Sequence, residues 1–177
     1  MWRSKRQSAE ASRVLVRHAH AGVRSEWHGS DEWRGLTEVG HSQARAVADM
    51  LEDLSILCIL SSPSLRCRQT VVPLALGHRL DVEPSLALGV QADTDAVLDL
   101  LADPATESSV LCTHRETLQG LFDRLPGGCA AVAGAEDPMD MAAVWMLRGS
   151  VTDPARARLE YLGSGAALLL DHGAAAV

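Results

Sequence analysis

Two histidines in this chain each follow a short apolar run, and an arginine precedes the first of them. Arg17 and His18 come directly after Val14-Leu15-Val16, and His114 comes after Ser109-Val110-Leu111-Cys112-Thr113. Runs of this kind predict buried β-strands, and open α/β sheets bind their ligands at the carboxyl ends of the strands. An imidazole nitrogen can act as a nucleophile, and the planar guanidinium of arginine binds phosphate oxygens with paired hydrogen bonds. We therefore expect one site built for a phosphoryl group.

A third segment, Ser61 to Thr70, follows another apolar run and predicts the first turn of a helix with Arg66 in it. Anions are favoured at helix N-termini, because the backbone N–H groups there are unpaired and the helix dipole is positive. Phosphoryl transfer needs a nucleophile, positive charge around the phosphoryl oxygens and a proton for the leaving group. His18 is the predicted nucleophile. The predicted positive charge comes from Arg17, Arg66 and a protonated His114.

The elements that must position these residues alternate along the chain. Strands are predicted at 14–16, 56–60, 80–82, 110–112, 143–147 and 157–162, and helices at 37–54, 65–76, 93–101 and 116–125. Strands that alternate with helices are typical of a parallel sheet covered on both faces. The predicted fold is α/β, a three-layer α/β/α sandwich with a mostly parallel central sheet.

The length of 177 residues predicts a single domain with a sizeable core. We expect this domain over residues 13–165, preceded by a flexible extension at 1–12 and followed by a weakly ordered tail at 166–177. Trp27 and Trp33 belong to a loop that either covers the site or packs over the sheet edge. The region 130–140, which contains glycine and proline, predicts another loop or lid.

Composition and charge exclude several classes of protein. The formal net charge is −7, whereas a general nucleic-acid binder needs a basic face. The four cysteines include no CxxC pair, so neither a zinc site nor a disulfide framework is predicted. The polar N-terminus lacks the apolar segment of a signal peptide, and the longest apolar run, 166–170, is too short to span a bilayer. We expect a cytoplasmic protein without metal, cofactor, nucleic-acid or membrane partners, and the oligomeric state stays open.

Four motifs, taken in order, resemble those of one family. Arg17-His18-Ala19 resembles its Arg-His-Gly/Ala signature, and Leu36 to Ala44 resembles its LTxxGxxQA helix start. Ser61 to Thr70 resembles its SSPxxRxxQT segment, and Val110 to His114 resembles its VxxH strand. The chain is thus similar to the histidine phosphatase superfamily, the phosphoglycerate-mutase-like proteins. Within it, the chain resembles the small, lidless branch of SixA-type phosphohistidine phosphatases, and also the actinobacterial phosphatase domain that often follows a nudix domain.

The resemblance implies a role for each matched residue, and one position departs from the pattern. His18 matches the histidine that becomes phosphorylated, and Arg66 matches the arginine that binds phosphate. Leu88 lies where relatives usually have the glutamate that acts as general acid. Glu83 is our candidate substitute and Glu116 is another, although neither matches the motif. A missing acid slows the departure of alkoxides most, because proton donation contributes roughly 10²- to 10⁴-fold.

These observations predict a metal-independent phosphatase that forms a phosphohistidine intermediate. The expected substrate is a small phosphorylated molecule or a phosphohistidine protein with a good leaving group, namely a phosphohistidine, an aryl phosphate or a phosphoanhydride. Because a neutral His18 and a charged His114 must coexist, we expect activity to peak at mildly acidic to neutral pH. The alternative is a catalytically weak phospho-ligand-binding or regulatory protein that has lost its general acid. Leu88 favours this alternative, as does Arg115 at a position where a small residue is common.

Overall fold

A six-stranded sheet forms the centre of the protein. The computed structural model describes residues 12–125, 139–153 and 156–167. The strands are β1 (Ser12–Arg17), β2 (Cys58–Ser61), β3 (Val82–Pro84), β4 (Ser109–Thr113), β5 (Ala143–Arg148) and β6 (Arg158–Ser164). Their order in the sheet is β3-β2-β4-β1-β5-β6. The first four strands run parallel, β5 is antiparallel to β1, and β6 is antiparallel to β5. The prediction of a mostly parallel sheet is confirmed.

Helices cover both faces of this sheet. They are α1 (Glu38–Met50), α2 (Leu65–His78), α3 (Thr94–Ala102) and α4 (Arg115–Arg124). Side chains alternate between the two faces along a strand, and β1 shows the consequence. Val14 and Val16 pack into the core beneath α1 and α2, whereas Leu15 packs into the core beneath α3 and α4. The predicted three-layer α/β/α sandwich is confirmed.

The start of α1 is fixed by a cap and by a glycine. Thr37 is the N-cap, and its hydroxyl accepts a hydrogen bond from the Gly40 backbone N–H (3.1 Å). A Cβ atom on Gly40 would lie 2.0 Å from the carbonyl oxygen of His20. Only glycine therefore lets α1 approach the segment that follows His18, which explains the glycine of the helix-start motif.

Some sequence-based expectations fall outside the described residues. Residues 1–11 of the predicted extension, 168–177 of the predicted tail and 126–138, which include most of the predicted lid, are not described. None of the helices within the described ranges has the length and apolar character needed to cross a membrane.

Candidate active site

The carboxyl ends of β1 and β4 bring the two predicted histidines together. These strands are parallel neighbours with Arg17 opposite Thr113, so His18 and His114 follow at the same edge of the sheet. The His18 backbone N–H donates to the Thr113 carbonyl oxygen (3.0 Å). The two imidazole ring centres lie 5.4 Å apart, with the rings inclined at 64°. Both histidines therefore belong to one site.

The ring of His18 presents one nitrogen as a nucleophile. Its Nδ1 atom lies 2.8 Å from the Ala19 carbonyl oxygen. Because a carbonyl oxygen only accepts hydrogen bonds, Nδ1 carries the proton and Nε2 keeps its lone pair. Burial lowers the pKa of His18 to about 4, and the positive charges of Arg66 and Arg17 act in the same direction. His18 is therefore neutral at pH 7, as a nucleophile must be.

The ring of His114 has the opposite tautomer. Nη2 of Arg66 lies 3.4 Å from Nδ1 of His114, and since a guanidinium only donates, Nδ1 is the acceptor. Nε2 then carries the proton and donates it to the Ser62 hydroxyl oxygen (2.8 Å). Burial lowers the pKa of His114 to about 3, with further lowering by His18 and Arg66. His114 is therefore neutral in the ligand-free protein at pH 7, and a charged His114 beside a bound phosphoryl group stays a prediction. A phosphate dianion beside the ring would favour its protonated form.

Both predicted arginines are buried beside the histidines. Arg66 lies in the first turn of α2 with only 3% of its surface exposed. Its Nε atom is buried and has no hydrogen-bond partner among the described residues, although buried polar atoms are nearly always paired. Arg17 is also buried, and its Nη1 atom donates to the Met139 carbonyl oxygen. The site thus concentrates positive charge where oxygen atoms of a ligand can accept hydrogen bonds.

A carboxylate that the sequence analysis did not identify lies against this charge. Asp31 begins a short 3₁₀ helix (Asp31–Trp33), and its Oδ2 atom lies 3.1 Å from Nη2 of Arg66. Its Oδ1 atom lies 2.9 Å from Nε of Arg24 and 2.8 Å from Nε of Arg34. Three guanidinium groups therefore converge on one carboxylate. The same loop also contains Glu26 and Glu32, so no sequence signal distinguishes Asp31 from its acidic neighbours.

The three arginines keep Asp31 ionised. Burial favours the neutral acid, but the hydrogen bond from Arg34 and the positive charges of Arg66 and Arg24 outweigh it. The pKa of Asp31 consequently lies below its ordinary value. In the ligand-free protein the Asp31 carboxylate is therefore the anion that Arg66 binds.

Polar residues of the sequence motifs hold the backbone around His18. The Thr70 hydroxyl accepts a hydrogen bond from the Ala19 N–H (2.9 Å) and donates to the Arg66 carbonyl oxygen (2.7 Å). Gln43 accepts a hydrogen bond from the His20 N–H through its side-chain oxygen (2.8 Å). These contacts tie the loop after β1 to α2 and α1, so the glutamine and threonine of the motifs hold the backbone that carries His18.

Leu88 packs as a core residue. Its side chain is fully buried on the α3 and α4 side of the sheet, and its carbonyl oxygen accepts a hydrogen bond from the Thr113 hydroxyl (2.7 Å). It offers no group that can transfer a proton.

Glu83 and Glu116 are the two proposed substitute acids. In the described residues, no contact joins either of them to the two histidines. Glu83 is exposed on the edge strand β3, opposite Leu60 of β2. The pKa of the Cys58 thiol, at the amino end of β2, is raised by burial and by the Glu83 charge. Glu116 is exposed in the first turn of α4. The role of Glu83 as proton donor stays a prediction, and no described contact supports it.

The buried, neutral histidines predict a fold that weakens in acid. An unfolded histidine binds a proton near pH 6.5 and folded His18 only near pH 4, so the unfolded state binds more protons between these values. The stabilisation is complete above pH 6.5 and is lost as the pH falls towards 4. Between pH 7.0 and pH 4.5, His18→Asn should reduce this loss by about 2 kcal/mol.

Urea unfolding at pH 7.0 and pH 4.5 measures that difference. His28→Asn, which removes an exposed histidine, is the matched control and should keep the pH dependence of the wild type. An identical loss of stability in the wild type and His18→Asn proteins would contradict the buried, neutral state of His18.

The geometry and the fold define a class of protein. Two strand-end histidines, two buried arginines and a helix N-terminus meet at the edge of a mostly parallel sheet, an arrangement that is suited to binding a phosphoryl group. Residues 14–89 match the sequence profile of the histidine phosphatase superfamily (branch 1). Over this segment the chain is similar to that superfamily.

Solved structures share the fold. The candidate phosphohistidine phosphatase SixA from Agrobacterium tumefaciens superimposes with a TM-score of 0.71 at 25% identity, over 85% of this chain and 95% of that one. A protein histidine phosphatase SixA complexed with tungstate superimposes with a TM-score of 0.70 at 19% identity, over 89% of this chain and 99% of that one.

The match to a curated relative covers only part of that protein. The 8-oxo-(d)GTP phosphatase of Mycolicibacterium smegmatis is 31% identical over 117 residues, which are 62% of this chain and 36% of that protein. The chain thus spans about a third of the length of this relative.

Proposed function

We propose that this chain is a phosphatase that works through a phosphohistidine formed on His18. The observation that carries the proposal is the tautomer of His18, because the hydrogen bond to the Ala19 carbonyl leaves Nε2 as a neutral nucleophile. Arg17 and Arg66 are buried beside it and supply the positive charge that a transferring phosphoryl group requires. Since these side chains supply that charge themselves, the proposed reaction needs no metal ion.

The reaction proceeds in two displacements. Nε2 of His18 attacks phosphorus, a P–N bond forms, and the bond to the leaving group breaks with its electron pair on the departing atom. Arg17 and Arg66 bind the phosphoryl oxygens during this step, and His114 donates a further hydrogen bond once the phosphate charge has favoured its protonation. Water then attacks phosphorus, the P–N bond breaks with its electron pair on His18, and inorganic phosphate leaves.

The absence of a carboxylic acid beside the two histidines in the described residues favours substrates with good leaving groups. Leu88 is buried, and the Asp31 carboxylate is held ionised by arginines, so neither is suited to protonate a leaving alkoxide. The leaving groups of phosphohistidine, aryl phosphates and phosphoanhydrides depart with less need for proton donation. The names of two relatives, a SixA-type phosphohistidine phosphatase and an 8-oxo-(d)GTP phosphatase, concern substrates of this kind. A small phosphorylated molecule or a phosphohistidine protein is the proposed partner.

A series of substituted phenyl phosphates tests this proposal, because the ring stays constant while the leaving-group pKa changes. We expect kcat/KM to rise steeply as the leaving-group pKa falls. A phosphohistidine peptide should be hydrolysed at least as well as p-nitrophenyl phosphate, and 3-phosphoglycerate roughly 10²-fold less well or worse. Equal rates for p-nitrophenyl phosphate and 3-phosphoglycerate would show that a general acid is present after all.

The second candidate function is a phospho-ligand-binding or regulatory protein with little turnover. Leu88 favours it, because a core leucine replaces the expected acid while the phosphate-binding residues are retained. Vanadate binding without turnover of any activated substrate, in a folded wild-type protein, would support this alternative over the phosphatase.

A further inference from the structure

We propose that a cavity beside the phosphoryl site, lined by Trp27, Trp33 and Arg34, binds an aromatic ring carried by the leaving group of the substrate. This inference rests on the proposed phosphatase function. It assigns to the substrate a chemical class, flat ring-bearing phosphates, that the phosphoryl site alone does not specify.

The cavity is unusual for its exposed aromatic side chains. Its volume is about 520 Å³, and Trp27 and Trp33 in its wall are 39% and 60% exposed. The whole chain has only six aromatic residues of the Trp, Tyr and Phe types. Three others, Phe122, Trp145 and Tyr161, pack against one another in the core, as expected for such side chains. Core packing therefore does not explain why two tryptophans of a single loop are exposed to solvent.

Residues of the cavity wall are neighbours of the proposed phosphoryl site. Arg34 lies in its wall and contacts Asp31, which in turn contacts the Arg66 guanidinium. Leu65, the neighbour of Arg66 in α2, also lines it. Ala21 to Val23, a segment that closely follows His18, also line the cavity. In the proposed complex, a phosphoryl group lies between the two histidines and its leaving group extends into this cavity.

The wall of the cavity is arranged before a ligand arrives. Trp27 donates from its indole N–H to the Ser30 carbonyl oxygen (3.0 Å), and its ring packs over Gly29. Arg34 donates from Nη1 to the carbonyl oxygens of Ala21 (2.9 Å) and Gly22 (3.2 Å), which fixes its guanidinium plane. A rigid wall binds a ligand with little loss of conformational freedom.

The chemistry of the wall selects a flat ring. Indole faces stack on aromatic rings, and a guanidinium plane stacks on them as well. Glu26, also in the wall, can accept hydrogen bonds from ring N–H groups. Small acyl or alkyl leaving groups would leave both indoles exposed. A nucleobase and a simple aryl group both provide the ring, and the test below distinguishes these two sources.

The test compares substrates with and without a ring. For 1-naphthyl phosphate, kcat/KM should fall about tenfold in Trp33→Ala and be largely retained in Trp33→Phe, which keeps an aromatic face. For acetyl phosphate, a ringless substrate with a good leaving group, the change should stay within about twofold. Leu86→Ala is the matched control, because Leu86 is an exposed apolar residue of the separate cavity on the Ser62 side of the site. It should leave both substrates unaffected.

A nucleoside diphosphate, assayed on the same variants, identifies the source of the ring. A tenfold loss for GDP assigns the cavity to nucleobases, whereas a loss confined to 1-naphthyl phosphate assigns it to simple aryl groups. Equal losses for acetyl phosphate and 1-naphthyl phosphate, or no loss for either ring-bearing substrate, would overturn the proposal.

A binding measurement separates this inference from the proposed catalysis. Calorimetric titration of 1-naphthyl phosphate into His18→Asn protein should give an affinity about tenfold higher than into the His18→Asn, Trp33→Ala double variant. This difference is expected even if the wild type shows no turnover, so the failure of the phosphatase mechanism and the failure of the ring subsite are distinguishable. Equal affinities would count against the subsite whatever the activity.

Discussion

Replacement of His18 by asparagine will reduce kcat for p-nitrophenyl phosphate by at least about 10³-fold, while the protein stays folded. Asparagine can still donate a hydrogen bond to the Ala19 carbonyl oxygen, so the local backbone contacts of His18 are preserved. It has no lone pair on nitrogen that can attack phosphorus, and the phosphohistidine cannot form. The loss should therefore appear in kcat, since Arg17 and Arg66, the proposed phosphate-binding arginines, remain.

Steady-state kinetics with circular dichroism spectra of both proteins provides this measurement. His41→Asn, which replaces an exposed histidine on α1, should keep the wild-type activity. Rapid quench into alkaline detergent should also trap a phosphorylated protein from the wild type and none from His18→Asn, because the P–N bond of phosphohistidine survives in alkali but is hydrolysed in acid. If His18→Asn retained more than a tenth of the wild-type kcat, His18 could not be the nucleophile.

Replacement of Arg66 by lysine will lower kcat/KM by roughly 10²- to 10³-fold. Arg66 contacts both Asp31 and His114, and it has a buried Nε atom without a partner in the described structure. A lysine ammonium carries the same charge but lacks the planar fork, so it cannot hold Asp31 and bind two phosphoryl oxygens at once. The inhibition constant for vanadate should rise as well, because the ground-state phosphate site is also weakened.

Arg68→Lys is the matched control for this substitution. Arg68 lies two residues further along α2, and its side chain is exposed. We expect wild-type kinetics from Arg68→Lys. Equal losses in the two variants would instead attribute the effect to the net charge of α2, and wild-type kinetics for Arg66→Lys would remove Arg66 from the phosphoryl site.

Asp31 gives the Arg66 prediction a further physical basis. In the ligand-free protein its carboxylate already forms an ion pair with the Arg66 guanidinium. A phosphate that binds there must share Arg66 with Asp31 or displace it. A side chain with several donors can accommodate both anions, whereas a single ammonium group serves them less well.

The sequence predicts the strand-end histidines because their signals are local. The apolar runs before His18 and His114 mark buried strands, and adjacent parallel strands must end at the same edge of the sheet. Arg66 is predictable for the same reason, since it follows a strand and begins a helix. Three-layer packing also follows from the alternation of strands and helices.

The ion pairs and charge states of the site residues depend on contacts between segments that are far apart in the sequence. Local sequence patterns therefore do not predict them. Asp31 approaches Arg66 from a loop that precedes it by 35 residues, and nothing local separates Asp31 from Glu32. The neutral state of His114 results from its burial and from the neighbouring His18, which only the folded structure establishes. The position of Glu83 depends on strand register, since β3 pairs Glu83 with Leu60 and its charge acts on the Cys58 thiol.

β1 lies in the middle of the sheet, and this position affects how the chain folds during its synthesis on the ribosome. β1 is made before every other strand, yet its two partners are β4 and β5, which begin at Ser109 and Ala143. Until those segments emerge, the apolar run of β1 has unpaired edges that can associate with other chains. Such non-local pairing folds slowly, so the nascent polypeptide should depend on chaperones to remain monomeric. His18 is thus made before the strands that flank β1, and its surroundings are complete only after β4 and β5 have been made.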